Sequence, residues 1–86
     1  MRLMKFQASW CGPCQRLTKT ISEMDISIPI DMIDVDSNTE TAVEYGIRSI
    51  PTLILVDENQ NQIRRVHGSI SKEQLEEFLG EYNAKG

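Results

Sequence analysis

Two cysteines stand three residues apart in Trp10-Cys11-Gly12-Pro13-Cys14, in a segment that leaves a strand and opens a helix. At or before a helix start, free backbone N–H groups and the positive end of the helix dipole stabilise a thiolate, so Cys11 can attack a disulfide in a partner. Cys14, about one turn further on, can then attack the mixed disulfide, release the reduced partner and leave an internal Cys11–Cys14 disulfide. Pro13 restricts the turn between the sulfurs, and Gly12 removes side-chain bulk beside the attacking one. Two inert buried thiols would not need this Gly-Pro insert. A structural zinc site needs four ligands, whereas Cys11, Cys14 and the single His67 supply three. The expectation is therefore no metal and no separate cofactor, the cysteine pair itself being the redox group.

The elements that position this pair follow from periodicity. Arg2 to Gln7 reads as a strand entering Ala8-Ser9-Trp10, although Lys5 and Gln7 break the apolar run of a strand buried on both faces. From Pro13, Cys14, Leu17, Thr18 and Ile21 recur at helical spacing and predict a helix to about Met24, with Cys14 turned inward and Cys11 more exposed. A strand follows over Ile30 to Val35, then a helix from Ser37 to Gly46, with Ser37 and Glu40 at capping-box spacing. Pro51 to Val56 reads as a buried strand, with Ile63 to His67 as its antiparallel partner across the turn at Asp57 to Gln62. Ser71 and Gln74 start a last helix whose apolar face is Leu75, Phe78, Leu79 and Tyr82, stapled by Ile70, with Gly80 as an interior residue costing about 1 kcal/mol relative to Ala. The order β-α-β-α-β-β-α, with right-handed crossovers, predicts an α/β fold of one domain over residues 1–86: a four-stranded mixed sheet with helices on both faces.

Charge narrows the partners. The chain of 86 residues carries a net charge of −4 and a pI near 4.8, which argues against nucleic acid or an anionic membrane as partner. Residues 1–22 hold Arg2, Lys5, Arg16 and Lys19 and no acid, so the cysteines lie in a basic segment of an acidic chain. Lys5 and Gln7 interrupt any signal-peptide core, and no run approaches the roughly 18 apolar residues of a membrane span, so a cytoplasmic protein is expected. Asp31, Asp34 and Asp36 lack the spacing of a calcium loop and read as a solvated strand edge. Arg64 and Arg65 read as an exposed hairpin pair, and His67 as a strand-end residue.

Ala8-Ser9-Trp10-Cys11-Gly12-Pro13-Cys14 resembles the active site of the thioredoxin family. Tyr45-Gly46-Ile47-Arg48-Ser49-Ile50-Pro51-Thr52 resembles its cis-proline segment, and Gly68-Ser69-Ile70-Ser71-Lys72 the glycine before its last helix. The resemblance implies that Cys11 is the nucleophile, Cys14 the resolving thiol and Ile50–Pro51 a cis peptide packed against the dithiol. It implies a groove in which the Ile50 backbone pairs with an extended client, with Trp10, Gly12, Pro13 and Gly68 completing a shallow apolar surface. It also implies a monomer that transfers electrons to disulfide-containing proteins from a reductase such as thioredoxin reductase. A glutaredoxin-like donor, glutathione, stays open, as does a binding module that acts as a subunit of a larger complex and in which the thiols are incidental.

The chain departs from the family in lacking the extra N-terminal strand and helix, and its size is closer to glutaredoxin. Its Asp57 to Gln62 turn is one residue longer and lacks glycine. The family's buried Asp is Lys5 here, and a family Lys falls at Met32. Lys5 is expected to modulate the thiols as a cation, with its ammonium reaching water or pairing with Asp34, the alternative being a surface lysine with no bearing on the site.

Overall fold

Arg2–Gln7 forms β1, which is joined on one side by Ile30–Asp34 (β2) and on the other by Thr52–Val56 (β3). Gln62–His67 (β4) completes the sheet, in the order β2-β1-β3-β4. The structure is a computed structural model that describes residues 1–83. β1 runs parallel to β2 and antiparallel to β3, and β3 is antiparallel to β4, so the sheet is mixed as predicted. The helices are α1 (Gly12–Ser22), α2 (Thr39–Glu44) and α3 (Lys72–Leu79), the last followed by a 3₁₀ turn over Gly80–Tyr82.

Alternation along the strands divides the core into two layers. Leu3, Leu53 and Leu55 pack with Leu17 and Ile21 of α1 and Leu75 and Leu79 of α3. On the opposite face Met4, Phe6, Ile54 and Val56 pack against Tyr45, Ile47 and Ile50, which come from the end of α2 and the loop after it. β3 is buried at all five positions, as its unbroken apolar run requires.

Several boundaries depart from the sequence reading for local reasons. α1 stops at Ser22 rather than Met24, and Thr18 is exposed, its hydroxyl donating to the Cys14 carbonyl at 3.0 Å. α2 starts at Thr39, and the Ser37–Glu40 capping box does not form. The Ser37 N–H is engaged by the Asp34 carbonyl at 3.2 Å, and Asn38, which occupies the cap, spends its side-chain amide on the same carbonyl at 2.9 Å. The Ser71–Gln74 box forms in full. Gly80 is not interior: at φ +52° it ends α3, so the expected helix penalty does not arise.

Arg64 and Arg65 are half-buried instead of exposed, because alternation sends them to opposite faces of β4. Arg64 donates to the Phe78 carbonyl at 2.9 Å and lies 5.1 Å from the Tyr82 ring centre, fastening the end of α3. Arg65 donates to the Tyr45 carbonyl at 2.5 Å and fastens the end of α2.

Candidate active site

β1 ends at Gln7, and the chain turns so that the Cys11 N–H donates to the Ala8 carbonyl at 3.2 Å. This turn places Cys11 at the N-cap of α1, with φ −91° and ψ 109°, and Pro13 in the first turn, where a missing N–H costs nothing. Cys11 Sγ accepts the Cys14 backbone N–H at 3.1 Å, a bond usually made by a cap oxygen. The two cysteines are joined as a disulfide, with Cα atoms 5.2 Å apart. Ala8, Cys11 and Cys14 form a small apolar cluster capped by Val35 and Ile50. Cys11 is only 4% exposed and Cys14 2%, which corrects the expectation of an open Cys11: Val35 and Ile50 close over it.

The loop that brings Ile50 there is the second predicted segment. Ile50–Pro51 is a cis peptide, and the Ile50 carbonyl lies 4.0 Å from Cys11 Sγ. The Pro51 carbonyl accepts the Gly68 N–H at 2.8 Å, and the Thr52 hydroxyl donates to the Ser49 carbonyl at 2.7 Å. Gly68 sits at φ +90°, in space where a Cβ would meet nothing within 4 Å, so backbone conformation and not crowding calls for glycine.

Beside the disulfide is an open groove of about 210 Å³. It is lined by the apolar side chains of Trp10, Val35, Ala42, Ile47 and Ile50, together with Arg48 and Ser49. Trp10 is 69% exposed, yet its indole is fixed: Nε1 donates to Asp36 Oδ2 at 2.8 Å. Of the residues expected to line the groove, Trp10 and Ile50 do so. Gly12 and Pro13 lie on α1, Pro51 is buried beneath, and Gly68 reaches the site through its bond to Pro51. The sequence reading missed Val35, Ala42 and Ile47, which have the pattern of ordinary core residues, and Asp36, whose partner is 26 residues away.

Lys5 takes neither expected arrangement. It is fully buried, and Nζ donates to Gln7 Oε1, two residues along the same strand. Asp34 cannot pair with it: the residue opposite Lys5 on β2 is Met32, and Asp34 Oδ1 accepts the Asp36 N–H at 2.8 Å. With a neutral amide as its partner, burial lowers the pKa of the Lys5 amine below its ordinary value. Gln7 is half-buried at the C-terminal end of β1, so this bond directs the amine toward the end of the sheet that carries the cysteines.

The three aspartates are not a cluster. Asp31 pairs with Arg2 at 2.5 Å, Asp34 serves the turn and Asp36 holds Trp10. Bonding to Arg2 lowers the Asp31 pKa. His67 is exposed, with Nδ1 3.2 Å from the Thr52 hydroxyl. Among the described residues no group of three or more His, Cys, Asp or Glu is placed to hold a metal ion, and no helix is long and apolar enough to cross a membrane.

The thioredoxin family model matches residues 1–81. The chain is 38% identical to thioredoxin from Porphyra purpurea over 93% of its own length and 78% of the relative's. Against thioredoxin from Bacillus subtilis it is 37% identical, covering 93% and 80%. Among solved structures it is similar to a single-site mutant of thioredoxin from Halobacterium salinarum, with a TM-score of 0.78 and 33% identity, covering 98% of this chain and 75% of that one. Thioredoxin from Malassezia sympodialis superposes with a TM-score of 0.79 at 29% identity, over 95% and 74%.

Proposed function

Because this chain belongs to the thioredoxin family and is thereby a thiol–disulfide oxidoreductase, we propose that it reduces disulfides in other proteins, with Cys11 attacking and Cys14 resolving. The observation that carries the reading is the Cys11 sulfur at the N-cap of α1, accepting the Cys14 N–H. Both sulfurs are nearly covered, so position decides: a sulfur at the cap faces the free N–H groups and the positive end of the helix and bears negative charge at lower cost than Cys14, one turn further in.

In the exchange, the Cys11 thiolate forms a bond to one client sulfur, the client S–S bond breaks, and the other client sulfur leaves as a thiolate that takes a proton. Cys14 loses its proton and its sulfur attacks Cys11 Sγ, which breaks the mixed disulfide and releases the second client thiolate. Two electrons have passed to the client, and the chain holds the Cys11–Cys14 disulfide. A donor dithiol, through a reductase, or glutathione returns two electrons and two protons.

The groove supports protein clients over small disulfides. An extended segment lying along Ile50 brings a client sulfur toward Cys11, with Trp10 and Ile47 available to an apolar side chain. Insulin reduction by the wild type and by Cys11→Ser tests the reading. Turnover in the wild type alone supports it, whereas client binding without turnover in the wild type would favour a redox-independent binding module.

A further inference from the structure

The chain is acidic overall, yet among the described residues two exposed arginines, Arg16 on the helix that carries the cysteines and Arg48 in the groove lining, make no ion pair. Arg48 lines the groove with Ser49 and Ile50. Arg16 belongs to α1: a Cβ on Gly12 would lie 3.8 Å from Arg16 Nη1, so its guanidinium sits beside the residue that follows Cys11. Among the described residues the ion pairs are Arg2 with Asp31 and the N-terminus with Glu58, so neither Arg16 nor Arg48 is in one. Arg64 and Arg65 are committed to backbone carbonyls and Lys5 is buried. Among the described residues no acid lines the groove, and Asp36, the partner of Trp10, has an oxygen taken by the indole.

Resting on the reading of the site as a protein-disulfide reductase, we infer that Arg16 and Arg48 select clients whose disulfide is flanked by an apolar side chain and an acidic one. The apolar side chain enters the groove of about 210 Å³ between Trp10 and Ile47. The carboxylate meets Arg48 or Arg16, depending on which side of the client cysteine it lies. A guanidinium at a wet rim steers encounter and discriminates by charge more than it adds affinity. Glutathione supplies carboxylates but no apolar side chain for the groove, which favours a polypeptide.

The test uses the reduced full chain in single-turnover reactions with disulfide peptides. These carry one apolar residue beside the cysteine and Glu, Gln or Lys either before or after the cysteine, in two series; oxidised glutathione is a further substrate. The wild type should prefer Glu over Lys by about fivefold to tenfold at low salt, and the preference should shrink at high salt. Arg48→Glu should narrow it in one series and Arg16→Glu in the other, and the double variant should invert it in both. The same peptide order in wild type and double variant overturns the inference, as does equal reduction of all three peptides. Glutathione reduced as fast as the Glu peptide, with the same dependence on both arginines, would assign the carboxylate site to glutathione and overturn it as well. Failure of the wild type to reduce any peptide would instead sink the protein-disulfide reading on which it rests.

Discussion

The backbone N–H of Cys14 donates to the sulfur of Cys11 at 3.1 Å, so the residue one turn inside the helix stabilises the sulfur at its start. In the reduced protein the same donor and the helix dipole favour a thiolate at Cys11. Ultraviolet thiolate absorbance of Cys14→Ser, which leaves Cys11 alone, should therefore titrate at lower pH than that of Cys11→Ser. Titration of both variants at the pH of a free thiol would contradict this.

The Trp10 indole is held by Asp36, and Trp10 is the only tryptophan of the chain, so its fluorescence reports one side of the groove. Asp36→Ala should shorten the anisotropy decay of Trp10 and raise KM for protein disulfides about threefold, the usual worth of one partly exposed hydrogen bond. An unchanged decay would mean that packing alone holds the ring.

Arg65 fastens the carbonyl of Tyr45, where the chain leaves α2 for the segment that lines the groove. Arg65→Gln should cost about 1 kcal/mol of stability, since the bond is charge-assisted but half-exposed. It should raise KM for protein disulfides more than it lowers kcat. Equal loss in both parameters would place the effect on the dithiol instead of the groove.

How much of this was legible in the sequence depended on how local the cause was. The cysteine pair, the Ser71–Gln74 capping box and the buried run of β3 are settled by neighbours within a few residues, and the sequence predicts each of them. The Ser37–Glu40 box has the same spacing as the one at Ser71 but fails, because the turn after β2 takes the Ser37 N–H and the Asn38 amide to the Asp34 carbonyl. Val35, Ala42 and Ile47 look like core residues, and only the fold shows that three separate segments leave them facing one groove. The burial of Lys5 was hidden for the same reason: it is imposed by helices covering a strand, not by anything within the strand.

Lys5 gives the prediction with a pH sign. Burial lowers its pKa in the folded chain from the ordinary 10.5, so between the lowered value and 10.5 the unfolded chain binds more protons. Stability should therefore rise with pH through that window. Lys5→Met should lose this slope and be more stable at neutral pH by about 1–3 kcal/mol, as a well-packed apolar residue replaces a desolvated amine. Its thiolate titration should also move to higher pH, since a cation on the sheet face that α1 covers favours thiolates. Parallel stability curves for variant and wild type would contradict the burial argument, and superimposable thiolate curves the coupling to the dithiol.

The central claim is the division of labour between the two cysteines, and trapping of a mixed disulfide tests it most directly. Cys14→Ser and Cys11→Ser are each incubated with an oxidised protein client, and the covalent adduct is measured by mass under non-reducing conditions. Cys14→Ser should accumulate a stable adduct through Cys11, because no second thiol remains to release the client, and Cys11→Ser should accumulate little. Equal trapping by both variants, or trapping by Cys11→Ser alone, would contradict the account.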